Sequence, residues 1–162
     1  MRRFLVIGFL LVIMASSQAG GLRPMASGSM GISLVGDDAY FNLGLGGVIP
    51  IKSGLCARFC VMNLQAGDNT SFYLGTGAGV GLAYYVPMRM VSPYGLFSMS
   101  LNTMSDYTSI GIVFGGGAQV RLRGIPISPF GEIGFGFQSV SYDSYSNTDV
   151  LFNMFFGARV EF

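Results

Sequence analysis

Histidine and tryptophan are absent from the 162 residues, and charge is scarce: nine Lys or Arg and eight Asp or Glu make 10% of the chain, against roughly 25% in an ordinary soluble domain. Without histidine, most hydrolase and metal-site templates lose a central residue. A net charge of +1 offers no electrostatic hold on nucleic acid. Cys56 and Cys60 are the only cysteines. Four residues apart on one straight strand, their Cα atoms stand roughly 13 Å from each other, too far for a disulfide. No ligand set accompanies them, so they read as small apolar residues and not as a metal site.

What is plentiful is apolar surface and glycine. The chain is 51% hydrophobic with 25 glycines and a mean hydropathy of +0.54. That excludes a disordered chain, and the length allows one domain. The N-terminus reads MRR, then the apolar run Phe4–Met14, then Ser17-Gln18-Ala19. A basic start, a short apolar core and a small-residue site form the pattern of a secretory signal peptide. The run is too short to span a bilayer as a helix. The expected division is residues 1–19 as signal peptide and residues 20–162 as the mature domain, without a lipoprotein cysteine at the junction.

Beyond residue 19 the hydrophobic period is two. Asn69–Met88 is uncharged, but its interior carries Gly75, Gly77, Gly79 and Gly81, each costing a helix about 1 kcal/mol relative to Ala. Read as a strand, it puts Phe72, Leu74, Val80, Leu82, Tyr84 and Val86 on one face and the glycines on the other. The same alternation predicts strands near residues 27–35, 39–51, 55–66, 71–86, 93–104, 109–123, 128–142 and 149–162. The third is untidy: Leu55, Phe59 and Val61 oppose Cys56, Arg58, Cys60 and Met62. Each strand is about as long as the 9–11 residues a membrane strand needs. The less apolar face carries Gly, Ser, Asn and Gln with few charges. Such a face suits the narrow interior of a closed barrel better than a solvated surface. The expected fold is therefore all-β: an eight-stranded, antiparallel, up-and-down transmembrane β-barrel.

The connections alternate in kind. Odd ones carry acid: GDD (36–38), AGDNTS (66–71), SDYTS (105–109) and DSYSNTD (143–149). Even ones carry Pro or Gly beside Lys52, Arg89 or Arg123. A meander has two chemically distinct ends, and with eight strands both termini share one of them. VSPYGLF (91–97) and ISPFGEI (127–133) form a weak repeat. Its Pro is tolerated at a strand's first residues, and its aromatic is expected at a membrane interface. Parity points Arg58, Arg121, Glu132 and Arg159 into the lumen near the terminus-bearing end. Arg58 and Glu132 lie on the third and seventh strands, opposite in an eight-strand ring. The cluster reads either as an ion-pair group, since buried charge needs a partner, or as a gate in a narrow pore. Asp37, Asp38, Asp68, Asp106, Asp143 and Asp149 form an outer rim, either of turn formers or of oxygen ligands for a divalent cation. No metal site or cofactor is called for.

With its leader, its meander and its ending GARVEF, the chain resembles the small bacterial outer-membrane β-barrel proteins. That family includes the OmpA transmembrane domain, OmpX and the opacity-type porins. Gly157, Val160 and Phe162 are similar to the family's C-terminal insertion signal, with Phe155 where a polar residue is usual. The resemblance implies an outer-membrane location, the barrel insertion machinery, lipid and lipopolysaccharide as partners, and a monomer. It also implies a structural or narrow-pore role, since every outer connection is shorter than in adhesive members. Outer-membrane enzymes of this size use a catalytic histidine, so no enzyme is expected. The alternative is a secreted, soluble, lipocalin-like cup for a small molecule, which requires the apolar face to point inward.

Overall fold

The computed structural model describes residues 22–68, 70–75, 78–86, 88–103, 107–142 and 145–162. The proposed signal peptide, Asp106 and Asp143 lie outside them. Nine β-strands follow one another without a helix among the described residues: β1 (Met25–Val35), β2 (Asp38–Lys52), β3 (Leu55–Ala66), β4 (Thr70–Leu74), β5 (Val80–Tyr85), β6 (Val91–Thr103), β7 (Tyr107–Val120), β8 (Ile127–Tyr142) and β9 (Tyr145–Glu161). Every pairing is antiparallel between chain neighbours, and β1 pairs with β9 to close the ring. Strands β4 and β5 both pair with β3 and together make one stave. The result is a closed, eight-stranded, up-and-down barrel. Closure leaves no long sheet edge open to another chain.

Besides a register shift between Pro50 and Lys52 at the end of β2, two irregularities depart from the even alternation of the sequence. Between Leu45 and Gly46 the β2–β3 register jumps, so that Met62 pairs with Leu45 while Cys60 pairs with Gly46. Val61 is the extra residue of a β-bulge and is exposed. A bulge shifts side-chain parity by one. Cys60, before the bulge, keeps the inward face it was expected to share with Arg58, whereas beyond the bulge it is Asn63 and Gln65 that line the interior. Met62, expected on the inner face, instead pairs between the outward residues Leu45 and Leu74. The second irregularity breaks the stave expected over 71–86. Strand β4 ends at Leu74 and β5 starts at Val80, with Gly75 and Gly79 at φ of 59° and 114°. Both values lie where residues bearing a Cβ are strained. Phe72 and Val80 nevertheless keep the outward face that parity assigns them.

The faces sort as alternation requires. Among the described residues, 34 large hydrophobic side chains are exposed, including Ile32, Leu43, Phe72, Leu82, Phe114, Phe135 and Phe156. Most of them belong to the outward rows of the staves, and the rest, such as Met88, Met90 and Ile125, lie in the connections. No charged side chain of the described residues stands on the outer wall between the two ends. The buried side chains gather inside, toward the end that carries both termini: Leu22, Met25, Val48, Cys56, Ala83, Tyr85 and Tyr94. That end is stitched by Phe162 N–H donating to Pro24 O at 3.1 Å and Glu161 N–H donating to Pro126 O at 2.9 Å. Both cysteines are free thiols.

Candidate functional site

The interior has a charged floor and a polar chamber above it. Glu132 on β8 lies between two arginines. Arg58 on β3 donates to both its carboxylate oxygens, Nη1 to Oε2 at 2.5 Å and Nη2 to Oε1 at 2.9 Å. Arg159 on β9 reaches Oε1 with Nη2 at 3.3 Å. The fork of Arg58 on one carboxylate is the strongest form of such a pair. Arg159 is 1% exposed and is held on several sides. It donates to Gln119 Oε1 and to Tyr94 Oη, both at 3.0 Å. Its Cζ stands 3.9 Å from the Phe130 ring centroid and 4.9 Å from that of Tyr94. Tyr85 stacks on Tyr94 with centroids 4.6 Å apart. A desolvated cation over aromatic faces contributes about 2 kcal/mol or more per favourable ring.

Local sequence explains why these groups converge. Ser-Pro-aromatic-Gly occurs at Ser92–Gly95 and again at Ser128–Gly131. In both copies the serine is buried, 0% and 2% exposed. Parity then turns the aromatics, Tyr94 and Phe130, into the lumen beside Arg159, instead of outward to an interface as the repeat suggested. Room for the Tyr94 ring comes from Gly117: a Cβ there would lie 2.8 Å from Tyr94 Oη.

Arg58, Glu132 and Arg159 are thus brought together, and Arg121 is not. Strand β7 ends at Val120, and Arg121 Nε instead faces Glu161 Oε1 at 3.8 Å near the terminus-bearing end. The cause is position along the strand. Arg121 has the inward parity but lies two residues past Gln119, and Gln119 takes the place in the layer. Gln119, Tyr85, Tyr94 and Phe130 belong to this site and were not singled out from sequence. The signal was present in parity alone, since each falls in the same inward row as a recognised lumen residue or glycine.

Above this floor lies a cavity of about 210 Å³. Ser29, Ser33, Asn42, Asn63, Ser98, Ser100, Asn102, Ser109 and Gln138 line it, with Val113, Leu151 and Phe155 supplying apolar wall. Its polar groups bond to one another: Asn42 Nδ2 donates to Ser33 Oγ at 2.9 Å, and Gln138 Nε2 to Ser109 Oγ at 3.2 Å. Cys60 lines the cavity, whereas Cys56 is fully buried in the floor.

At the other end of the barrel Asp37, Asp38 and Asp68 are exposed, and Asp149 accepts from Asn147 Nδ2 at 2.9 Å. Among the described residues, no three acidic or thiol groups converge to hold a metal ion. Gly157 lies in an inward row beside the Phe130 ring, while Val160 and Phe162 are exposed on the outside. No family model, curated protein or solved structure matches this chain.

Proposed function

We propose that this protein is an integral barrel of a bacterial outer membrane, similar in plan to the small eight-stranded barrels, with a structural and non-enzymatic role. The observation that carries the reading is the girdle of outward hydrophobic side chains around every stave, with charge confined to the two ends and the lumen. Each fully exposed Leu, Ile or Phe left in water instead of hydrocarbon forgoes about 1.5–3 kcal/mol. A soluble monomer rarely carries a contiguous apolar patch beyond a few hundred Å². A lipocalin-like cup buries its apolar rows, which is the reverse of this arrangement. The Asp-bearing turns would face outward and the termini the periplasm, with lipid and lipopolysaccharide around the wall. Gly157, Val160 and Phe162 would be read by the insertion machinery after removal of residues 1–19. Of the two roles open to such a barrel, a filled cross-section at Arg159, Tyr85 and Tyr94 favours the structural one over a resting open pore.

The test is to refold residues 20–162 in detergent and compare cold with boiled mobility on an SDS gel beside far-UV circular dichroism. A β spectrum with a heat-dependent band shift, and precipitation when detergent is removed, is the expected result. A monomeric β protein that stays soluble in plain buffer overturns the membrane reading.

A further inference from the structure

We propose that the lumen cavity binds a small organic anion, a carboxylate on a compact apolar body, with its charge held by Arg58 and Arg159. The ionic layer beneath the cavity does not balance. Glu132 is one carboxylate between two guanidiniums, leaving one positive charge enclosed in the protein. An enclosed charge without a counter-ion is unfavourable, and low-dielectric walls focus its pull on an anion.

Of the two cations, Arg58 is the one presented to the cavity. Its side chain is 23% exposed, and it lines the chamber. A guanidinium has five N–H donors, and Glu132 takes two of those on Arg58. Arg159 also lines the chamber, and its Nε is buried with no hydrogen-bond partner.

Size and wall chemistry narrow the ligand. A dry cavity of about 150 Å³ holds benzene, so about 210 Å³ suits a benzoate-sized molecule or the first carbons of a fatty acid. Val113, Leu151 and Phe155 offer apolar wall for the body. Ser98, Ser100 and Asn63 offer neutral hydrogen-bonding groups elsewhere. Among the described residues, no acid other than Glu132 lines the chamber. The inference requires the closed barrel and not the membrane, so it fails or stands separately from the function proposed above.

The protein carries its own reporter, the thiol of Cys60 in the chamber wall. The experiment measures the modification rate of Cys60 in the folded protein by a small neutral methanethiosulfonate, with peptide mapping to separate it from buried Cys56. Octanoate, benzoate, octanol and inorganic phosphate are tested as protectants. Octanoate and benzoate are expected to slow the reaction, and octanol and phosphate to leave it nearly unchanged. Arg58→Gln should weaken protection about tenfold or more, as loss of a focused charge implies, and Arg58→Lys should retain part of it. Circular dichroism and the gel shift check that each variant is folded, and Arg58→Lys with the uncharged protectant keeps the test decisive if Arg58→Gln is not. Equal protection by octanol overturns the role of charge. Equal protection by phosphate overturns the apolar body. Protection undiminished in folded Arg58→Gln, or a Cys60 that the neutral reagent never reaches, overturns the site.

Discussion

Toward the chain termini the barrel is filled by Arg159, Glu132, Gln119, Tyr85, Tyr94 and Phe130. Toward the Asp-bearing turns it encloses a cavity of about 210 Å³ walled by Ser, Asn and Gln. The walls differ as the interiors do. In the lower half every stave is laddered on both sides. In the upper half β4 pairs with β3, while the facing rim of β6, Ser100–Thr103, is laddered only to β7 among the described residues. The lower half uses ionic and aromatic contacts that leave little freedom of position. The upper half uses neutral groups that bond in pairs and tolerate space. One half specifies how the staves come together, and the other is free to hold something.

The largest effect is expected where the contrast is sharpest. Glu132→Gln leaves the buried guanidinium of Arg159 and the part-buried one of Arg58 without their shared counter-charge, and breaking a buried pair this way costs about 3–5 kcal/mol. The gel-shift temperature and the urea midpoint in detergent should both fall steeply. An unchanged midpoint would mean that the floor is not what holds the barrel closed. Gly117→Ala is next. Its new Cβ would press on the Gly131 backbone oxygen and lie 2.8 Å from both Cζ and Oη of Tyr94, and overpacking of this kind costs about 1–3 kcal/mol. Tyr94→Phe removes the hydroxyl that accepts from Arg159, but keeps the ring. Hydrogen bonds to charged groups contribute about 1.5–3 kcal/mol, so its midpoint should fall by about as much as that of Gly117→Ala. In the double variant Gly117→Ala/Tyr94→Phe most of the Gly117→Ala loss should remain, because the Gly131 backbone oxygen and the ring's Cζ still meet the new Cβ.

Those numbers depend on where side chains point, and most of that was legible from alternation. A period of two holds through β1, β6, β7, β8, β9 and most of β2, whose Val48, Ile49 and Pro50 are buried in succession before a register shift, and it placed Arg58 opposite Glu132 on facing staves. It failed where the backbone leaves the regular ladder. Val61 adds a residue, so every position after it in β3 changes face, and composition carries no mark of a bulge between two apolar residues. Gly75 and Gly79 have positive φ, yet the strand pattern runs through them because the interruption preserves parity. Arg121 shows a different limit. Parity gives the face but not the height, and two residues of height exchange the ionic layer for the rim. The Ser-Pro-aromatic-Gly repeat was visible, but its meaning needed the ring. Only once β6 and β8 curve around Arg159 do Tyr94 and Phe130 become the two faces that hold it.

The smallest effect is expected in the upper half, and it sharpens the contrast from the other side. Asn153 on β9 lines the cavity, and its Oδ1 is buried without a hydrogen-bond partner. An unsatisfied buried acceptor is unfavourable by about 1–3 kcal/mol, and a leucine there would add apolar wall without creating a void. Asn153→Leu should leave the unfolding midpoint unchanged or raise it by about 1 kcal/mol, while a similar swap in the floor, Gln119→Leu, should lower it. Arg159 Nη1 would lose the acceptor it has at 3.0 Å, and a buried guanidinium has no neutral form to retreat to. If both leucines behave alike, the interior is one continuous core and the division into floor and chamber fails. If they diverge in sign, the chamber is free of the constraint that fixes the floor, and its polar lining must be explained by something other than stability.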